Sequence, residues 1–510
     1  MSTSSPSGRE GRRSSWSQGE PPWWQDAVVY QVYPRSFQDA DGDGVGDLRG
    51  IIERLDHVAA LGADAVWLSP FYPSPMADGG YDVANYTGVH PQLGTLEDAE
   101  ELIAAAHGRG LRVLFDVVPC HTSIEHPWFC AHPDRYVWSD RDGPQNNWLA
   151  SFGGPAWSRD SQSGRWYLHS FYPEQPDLDW RNPDVPVAFG GALGFWLERG
   201  VDGFRVDAID RLLKDPELRD DPPAAGPPPL PLHPEHATLE HRHSRDAPDI
   251  GAGLAHLRAA VGDALLVGEA YLPYAGFGPY LEHLDLCFAF ELFHAPWDAE
   301  AVRAALAGAP PGRVAWVLSN HDFARLPDRV GPGQARAAAL LLLTLPGAVF
   351  VYQGDELGMA DGPGRSGPPD DRAGRDVHRH PMAWTDDRPH AGFTTGDPWL
   401  PVVTPAAGSA AAQAAQPDSP LALYRDLIAA RRALGGELEL LEAAPGVVAF
   451  RRDGHVVAVN LGAEPAPCPP AGTVVRATHA DAVPAGARAP GSLAPGAGLL
   501  ANVAGSAQRE

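Results

Sequence analysis

Several features typical of membrane proteins and secreted scaffolds are absent from this sequence. No run of about 18 apolar residues occurs, so we expect no membrane-spanning helix. The first 20 residues are rich in Ser, Gly and Arg, and they lack the apolar stretch of a signal peptide. The four cysteines lack the spacing of metal ligands and are too few for a disulfide framework. We therefore expect a cytoplasmic protein with reduced thiols.

Positive charge is also scarce. The formal net charge is −26, and Lys214 is the only lysine, so arginine supplies the rest of the 39 basic residues. Such an acidic chain is a poor partner for nucleic acid or for anionic membrane surfaces. The charge favours solubility, and nothing in its pattern specifies an oligomeric state.

Short apolar segments rich in β-branched and aromatic residues alternate with helical patterns along most of the chain. Segments of this kind are typical of strands that are covered on both faces. Eight such strands alternating with helices predict an α/β fold, a (β/α)8 TIM barrel. The predicted strands are residues 28–32, 65–69, 113–118, 203–206, 265–267, 284–290, 314–318 and 349–352, and the predicted helices are residues 48–61, 96–107, 188–198, 253–261, 299–306, 335–343 and 421–434.

The departures from this alternation predict the domain organisation. An aromatic and polar segment follows the third strand, which predicts a small inserted domain. Near the end of the chain, two alternating segments flank Asp453 and Gly454, a tight hairpin turn, which predicts a C-terminal antiparallel β domain. The predicted units are a disordered tail at 1–22, the catalytic barrel at 23–119 and 186–434, the inserted domain B at 120–185, and the β domain at 435–510.

Charged residues stand where the predicted barrel strands end. Barrel enzymes carry their chemistry at the carboxyl ends of the strands, so these side chains are expected to share one site. The burial of an acid within an apolar segment is energetically unfavourable, so such an acid is expected only where a partner or a function retains it. The candidates are Asp116 and His121 after the third strand, Arg205 and Asp207 on the fourth, Glu269 on the fifth, and Asn320, His321 and Asp322 on the seventh.

Three acids and an arginine suit the retaining hydrolysis of a glycoside. That mechanism needs an ionised carboxylate as nucleophile and a carboxylic acid as proton donor. Arg205 and Asp207 lie two apart on a strand and point to the same side, so the cation lowers the pKa of Asp207 and favours it as nucleophile. Neighbouring carboxylates raise the pKa of Glu269, which favours it as the acid/base. Asp322 is then the third acid, which binds sugar hydroxyls in the transition state.

The segments DVVPCHTS, GFRVDAID, VGEAY and SNHD resemble the four signature regions of the α-amylase superfamily, glycoside hydrolase family 13. The flanking sequence resembles the oligo-1,6-glucosidase and α-glucosidase branch of that family, in segments that include VYQVYPRSFQDADGDGVGDL, GYDVANY, YQGDELGM and HPMAW. The resemblance implies the same three catalytic roles for Asp207, Glu269 and Asp322. It also implies the residues that hold the terminal glucose, which are Tyr81, Asp82, Asp116, His121, Arg205 and His321.

The resemblance implies an exo-acting α-glucosidase that releases glucose from maltose and maltooligosaccharides. Endo-acting α-amylases carry Lys and His at the positions of Asp210 and Arg211, so an endo-amylase is disfavoured. In this branch Ala at position 208 goes with α-1,4 preference, and Val with α-1,6 preference. Two alternative functions are left open. One is an oligo-1,6-glucosidase, and the other is a transglycosylase or isomerase of the sucrose isomerase or trehalose synthase type. The loop at 215–249 is expected to decide between them.

A non-enzymatic protein is the alternative from another class. Transporter heavy chains share this fold, but they need a membrane helix and have lost the catalytic acids. This chain keeps the acids and lacks such a helix, so an enzyme acting on a small α-glucoside is favoured.

An acidic loop near the start of the barrel is a candidate for Ca²⁺. Asp39, Asp41 and Asp43 alternate in QDADGDGVGD, and Asp47 lies four residues further on, which resembles the start of an EF-hand loop. The resemblance to the family implies a structural calcium ion held by these acids and by the carbonyl of Val45. The alternative is a solvated turn without an ion.

Cys120 departs from the family pattern. The family usually carries Asn there, and in α-amylases that Asn helps to bind a calcium ion between the barrel and the inserted domain. Cysteine is a poor ligand for a hard cation, so we do not expect that site here.

Overall fold

Eight parallel strands close into a barrel in the computed structural model, which describes residues 21–228, 230, 233–364 and 371–503. Each predicted barrel segment overlaps one of these strands, so the predicted fold class is confirmed. Nearly all of the predicted N-terminal tail at 1–22 lies outside the described residues, and the domain boundaries stay predictions. The barrel strands are β1 (Val28–Val32), β2 (Ala65–Leu68), β3 (Arg112–Val117), β6 (Gly203–Val206), β7 (Leu265–Gly268), β8 (Leu286–Phe288), β9 (Val314–Val317) and β10 (Val349–Tyr352).

The barrel strands are buried on both faces, which explains their continuous apolar character. Alternate residues such as Val29 and Val267 point into the barrel, where Trp67 packs against Phe288 and Phe350 at ring-centroid distances of 5.8 and 6.0 Å. The other residues of each strand pack against the surrounding helices. The interior is therefore filled with side chains, and a cavity can form only at the ends of the barrel.

Helices surround the barrel. The helix at Leu96–His107 begins with a capping box, in which Asp98 N donates to Thr95 Oγ1 and Thr95 N donates to Asp98 Oδ2. Within the described residues, no helix combines the length and the apolar character needed to cross a membrane. The helices are α1 (Leu48–Leu61), α2 (Leu96–His107), α3 (Pro127–Ala131), α4 (Asp184–Leu197), α5 (Ile250–Val261), α6 (Gly278–Leu281), α7 (Phe290–His294), α8 (Ala299–Gly308), α9 (Leu326–Val330), α10 (Ala335–Thr344), α11 (Ala410–Ala414) and α12 (Pro420–Arg431).

A small insertion follows β3. It contains α3 and an antiparallel pair of short strands, β4 (Trp157–Arg159) and β5 (Trp166–Leu168). Trp148, Trp157 and Leu168 form a separate small apolar cluster inside it. The insertion therefore has a core of its own above the carboxyl end of β3.

An antiparallel sheet follows the barrel, as predicted. The hairpin around Asp453 is confirmed, and its strands are antiparallel partners from Val447↔Asn460 to Arg452↔His455. One face of the sheet joins the main apolar core through residues such as Phe450 and Val457. The remaining strands are β11 (Glu439–Leu440), β12 (Val447–Arg452), β13 (His455–Asn460), β14 (Ala466–Pro467), β15 (Val474–Ala477), β16 (Ser492–Leu493) and β17 (Gly498–Asn502).

Candidate active site

A cavity of about 690 Å³ opens at the carboxyl ends of the barrel strands. The strand register places its acids, because Asp116 on β3 is the direct partner of Arg205 on β6, and Arg205 is the partner of Val267 on β7. Asp207 and Glu269 follow the last residues of β6 and β7. The candidates from separate strands therefore meet at one place, as the sequence predicts.

Arg205 is the centre of this cluster. Its Nη1 lies 2.9 Å from Asp116 Oδ1 and 2.7 Å from Asp207 Oδ1, and its Nη2 lies 2.8 Å from Glu269 Oε1. The arginine side chain is only 1% exposed. A single planar guanidinium thus holds Asp207 and Glu269 close together, which suits the short separation of two carboxyl groups in retaining glycosidases.

The cluster holds more negative charge than one cation can neutralise. Burial raises the pKa of Asp116 to about 7, although Arg205 opposes the shift. Burial also raises the pKa of Asp207 and of Glu269, again against Arg205, and nearby carboxylates add to both shifts. For Asp207 the net shift is opposite to the lowering predicted from the sequence, because burial outweighs the charge of Arg205.

Asp322 has a different electrostatic environment. Its Oδ1 lies 2.9 Å from Arg375 Nη1 and 3.2 Å from Arg379 Nη2. Burial acts to raise the pKa of Asp322, but its surroundings hold that pKa well below its usual range. Burial lowers the pKa of His321 to about 3, so this neighbour is neutral at pH 7 and the arginines supply the charge. Asp322 is therefore ionised.

A hydrogen-bonded chain fixes Tyr81 and His321. Gln31 Nε2 lies 2.9 Å from His321 Nδ1, and His321 Nε2 lies 2.7 Å from the Tyr81 hydroxyl, which donates to Asp116 Oδ2 at 3.0 Å. With Gln31 as donor, the histidine carries its proton on Nε2. The Tyr81 and His321 rings are stacked with centroids 5.4 Å apart. Of these residues, Tyr81 lines the cavity directly.

His121 lines the cavity beside Tyr81. Its Nε2 lies 2.9 Å from Gln175 Nε2, and Gln175 also donates to Asp78 Oδ2 at 2.8 Å. Burial lowers the pKa of His121 to about 4. The imidazole is therefore neutral at pH 7 and can donate to or accept from a sugar hydroxyl.

Asp82 does not line this cavity. Its carboxylate accepts hydrogen bonds from Ser74 Oγ and from the backbone N–H groups of Ala77 and Asp78, at 2.8–3.0 Å. Those bonds fix the loop after β2, and it is Asp78 that faces the cavity. The structure therefore gives Asp82 a role in shaping the loop, and places Asp78 where the resemblance leads one to expect Asp82.

Two arginines of the site are missing from the sequence-based candidates. Arg375 forms ion pairs with Asp78, Asp322 and Asp371, and Arg379 forms one with Asp322. Both belong to the long segment after β10, where no strand pattern marks a catalytic position. The only signal is the HPMAW segment directly after Arg379, which the resemblance matched without assigning these residues.

Ala208 has an unusual backbone conformation directly after Asp207. Its φ of 44° and ψ of 43° lie in the left-handed region, which non-glycine residues seldom occupy. Its N–H donates to Glu269 Oε2 at 3.2 Å, and its side chain lines the cavity. This conformation redirects the chain into a 3₁₀ turn (Ile209–Arg211), so that Asp210 and Arg211 also face the cavity.

The acidic loop brings three of its predicted ligands together. Carboxylate oxygens of Asp39, Asp41 and Asp43 lie within 4.8 Å of one another. Asp47 instead caps α1, with its Oδ1 accepting from Gly50 N at 2.7 Å. Val45 lies buried in the same turn, and its N–H donates to Asp43 Oδ1 at 2.8 Å. The donor set is rich in hard oxygen atoms, which fits Ca²⁺.

Lys214 lies beside the second position considered for calcium. Its Nζ is 2.6 Å from Asp177 Oδ2 and 3.9 Å from Cys120 Sγ, and the lysine is 6% exposed. The ammonium group already neutralises the carboxylate that a cation would need there. Asp177 therefore has a counter-ion within the protein at this position.

The fold and the site together define a class of protein. Arg205 holds the buried carboxyl groups of Asp207 and Glu269 close together at the carboxyl ends of a (β/α)8 barrel, which suits the carboxylate pair of a retaining glycoside hydrolase. The chain belongs to the alpha-amylase family, whose catalytic-domain model matches residues 31–436. It is therefore a hydrolase that acts on glycosidic bonds.

Three individual proteins are similar to this chain over most of its length. The chain is 41% identical over 489 residues to a probable alpha-glucosidase of Rhizobium meliloti (strain 1021), which covers 84% of this chain and 87% of that protein. It is 35% identical over 447 residues to an oligo-1,6-glucosidase of Parageobacillus thermoglucosidasius, covering 74% and 78%. The solved structure of an alpha-glucosyl transfer enzyme, XgtA, is similar with a TM-score of 0.86 and 37% identity, covering 94% of this chain and 99% of that one.

Proposed function

We propose that the protein is a retaining, exo-acting α-glucosidase that releases glucose from the non-reducing end of maltose and short maltooligosaccharides. Asp207 attacks the anomeric carbon and forms a covalent glucosyl-enzyme, while Glu269 protonates the leaving oxygen. Glu269 then takes a proton from the water that hydrolyses the intermediate. Asp322 binds sugar hydroxyls more strongly in the transition state. The relatives named alpha-glucosidase and oligo-1,6-glucosidase support this proposal.

The observation that carries the exo assignment is the ion-pair network of Arg375. It joins Asp78 in the loop after β2 to Asp371 in the segment after β10, and it also pairs with Asp322. Arg375, Asp78 and Asp322 line the cavity, so the network forms part of its wall. We propose that this wall stops a sugar chain from extending past the terminal glucose, which then fits between the network and Asp207.

Product analysis tests this proposal. Maltotriose should give glucose and maltose from the first turnovers, and the released non-reducing glucose should appear first as the α-anomer in a proton NMR time course. First appearance of the β-anomer would mean inversion. Internal cleavage of longer maltooligosaccharides, without free glucose, would contradict exo action.

Glucosyl transfer is a second candidate function. It is favoured by the structural similarity to an alpha-glucosyl transfer enzyme and by a cavity of about 690 Å³, which has room for an acceptor beside the glucose. The same glucosyl-enzyme serves both outcomes, so the difference lies in whether water or a sugar attacks it. Parallel incubations with maltose, isomaltose, sucrose and trehalose separate them, because transfer or isomerisation yields new disaccharides and hydrolysis yields monosaccharides.

We predict that the protein cleaves maltose with a higher kcat/KM than isomaltose, and that Ala208→Val moves this ratio toward isomaltose. Ala208 lines the cavity directly after the nucleophile, and a bulkier side chain there narrows the space beside the scissile oxygen. A 1,4-linked sugar lies nearer to that wall than a 1,6-linked sugar on its extra methylene. A change of one or two carbons alters kcat/KM by roughly 10- to 200-fold.

Two controls distinguish the effect of side-chain size at position 208 from the effect of backbone strain there. A residue with a Cβ costs roughly 1–2 kcal/mol in the left-handed conformation of position 208. A β-branched side chain is tolerated less well there than Ala, so the Val variant should also melt at a lower temperature. Ala208→Gly removes both the strain and the side chain, and it should keep the preference for maltose. An unchanged ratio in the folded Val variant would show that linkage is recognised elsewhere.

We also propose that the acidic loop binds a structural calcium ion through Asp39, Asp41 and Asp43. Two of these acids are exposed, and their oxygens converge although like charges repel, which a bound cation would offset. Gly42 and Gly44 support the tight turn with φ values of 84° and 94°. The ion would stabilise the loop, which a hydrogen bond from the Thr394 hydroxyl to Asp39 joins to the segment after β10.

Removal of calcium should lower the melting temperature, because the ion binds only the folded loop. We predict a lower Tm in the presence of a chelator such as EDTA, restored by added Ca²⁺, with Tm measured by calorimetry. Asp43→Asn keeps the side-chain shape and should abolish the response, whereas Asp56→Asn, an exposed acid on α1, should retain it. Identical melting with and without chelator, and no calcium by elemental analysis, would show an ion-free turn.

We propose cytoplasmic residence. All four cysteines are free thiols, which is consistent with a reducing compartment. Fractionation of the source cells, with the activity followed in each fraction, tests this assignment.

A further inference from the structure

Four basic residues line one side of the cavity and have no part in the mechanism proposed above. Arg211 belongs to the 3₁₀ turn after β6, and His233, His236 and Arg245 belong to the loop between that turn and α5. We call these four residues the basic wall. The hydrogen bonds of Arg211 and His236 do not involve the residues assigned to the terminal glucose, so we place the leaving group against the basic wall.

The guanidinium of Arg211 forms a hydrogen bond with an uncharged side chain, that of His236. Its Nη2 lies 3.3 Å from His236 Nε2, while His236 Nδ1 lies 3.2 Å from the carbonyl oxygen of Leu149. The carbonyl only accepts, so His236 carries its proton on Nδ1 and presents a lone pair to the arginine. The ring of His236 also stacks on His241 with centroids 3.6 Å apart. Arg211 is thus oriented without an acidic partner.

The positive charge of Arg211 is not compensated within the part of the chain that the structure describes. No carboxylate of those residues comes within 4.0 Å of its guanidinium, although Arg211 is only 6% exposed. Arg245 forms an ion pair with Asp210, but its Nη1 lies 3.5 Å from Asp210 Oδ2, which is too long for a hydrogen bond. Asp210 therefore offsets one of the two arginines and leaves a net positive wall.

Two further carboxylates near the basic wall accept hydrogen bonds from other groups. Glu235 accepts from the backbone N–H of Gly154 at 2.9 Å. Asp246 accepts from the Tyr280 hydroxyl at 2.8 Å and points to that residue. Burial, followed by the charges of Arg211 and Arg245, lowers the pKa of His236, so it stays neutral. The field at the wall therefore comes from the two guanidinium groups.

The other arginines that line the cavity, Arg372 and Arg375, are compensated. Arg372 pairs with Glu174, and Arg375 contacts three carboxyl groups. The buried Arg205 likewise contacts three carboxyl groups. A buried cation without a counter-ion is unfavourable, and it becomes favourable when a ligand supplies the anion. We propose that Arg211, supported by Arg245, binds an anionic group on the leaving group, so that the substrates include α-glucosides whose aglycone carries a phosphate or a carboxylate. This inference rests on the proposed α-glucosidase function.

A matched pair of synthetic substrates tests the charge preference. 4-(Carboxymethyl)phenyl α-glucoside and 4-(carbamoylmethyl)phenyl α-glucoside have nearly the same shape and differ by one negative charge. We expect kcat/KM to be about tenfold or more higher for the anionic member, as for one charge-assisted contact. The advantage should shrink with added salt, because screening weakens the attraction.

Substitutions of Arg211 test whether this residue causes the preference for the anionic substrate. In Arg211→Gln the ratio of kcat/KM between the two substrates should fall to about one, and in Arg211→Lys it should be partly retained. Arg242→Gln is the control, because Arg242 lies on the same loop with a 62% exposed side chain and its loss changes the net charge equally. The control should keep the wild-type ratio, and thermal melting should show that each variant is folded.

Calorimetric binding decides the inference independently of catalysis. Glucose 6-phosphate or glucuronate should bind more tightly than glucose, and the better of the two identifies a phosphorylated or a carboxylated aglycone. Arg211→Gln should abolish the advantage. Equal affinities for all three sugars, together with equal kcat/KM for the aryl pair, would overturn the inference while leaving maltose hydrolysis intact. Absence of maltose hydrolysis with tighter binding of an anion would instead overturn the proposed function alone.

Discussion

Asp207→Asn lowers kcat for maltose by a factor on the order of 10⁴ or more, because an amide cannot form the covalent glucosyl-enzyme. The fold should survive, since Arg205 keeps Asp116 and Glu269 as counter-ions when Asp207 loses its charge. Its melting temperature should be equal to or above that of the wild type, because one like charge leaves a crowded buried cluster.

Asp210→Asn is the matched control for this experiment. It removes the same charge from the same cavity three residues further on, but Asp210 does not contact Arg205. The control should retain maltose hydrolysis within about tenfold of the wild type. Both proteins must be purified free of host glucosidase, because a trace of contaminant would dominate the Asp207→Asn rate. Turnover of the Asn variant near the wild-type value would refute Asp207 as nucleophile.

Glu269→Gln gives a loss that depends on the leaving group. Removal of the proton donor should lower kcat/KM for maltose by roughly 10²- to 10⁴-fold. The loss should be far smaller for 2,4-dinitrophenyl α-glucoside, whose leaving group departs without protonation. Steady-state rates on both substrates measure this, and an equal loss on both would contradict the role of Glu269 as acid.

The pH profile adds a second test of Glu269. Burial raises its pKa, against the opposing charge of Arg205, so the side chain keeps its proton to higher pH than an ordinary glutamic acid. Hydrolysis of maltose by the wild type should therefore fall as pH rises and Glu269 loses that proton. This alkaline fall in kcat/KM should disappear in Glu269→Gln. Its persistence would assign it to another group, such as Asp116 in the same cluster.

The barrel could be predicted because every strand is buried on both faces. Burial on two sides leaves a continuous apolar segment in the sequence, and the acids that interrupt the segments then stand out. Asp207 and Glu269 were found in this way, and the cross-strand pair Asp116↔Arg205 brings their neighbours together as expected. Strand ends were less predictable: the segment 284–290 contains only Leu286–Phe288 as strand, because Phe290 already begins α7.

The glucose-facing loops could not be predicted to the same level. Asp78 and Asp82 stand four residues apart in one loop, and only the folded backbone shows that Asp82 accepts from backbone N–H groups while Asp78 faces the cavity. Arg375 reaches the site from a segment without periodicity, and its position depends on long-range ion pairs. The sequence also does not show that Arg211 lacks an acidic partner, because that depends on which residues surround it in the folded protein.

The burial of Lys214 has a chemical consequence for an enzyme surrounded by reducing sugar. Aldoses condense with uncharged primary amines to form imines, the first step of glycation. Lys214 is the only lysine, and it lies 6% exposed against Asp177. Although burial alone would lower its pKa, the Asp177 carboxylate keeps the pKa raised, so the amine stays protonated. The folded chain therefore offers released glucose no lysine side chain to modify, and amine-directed cross-linkers should likewise find none.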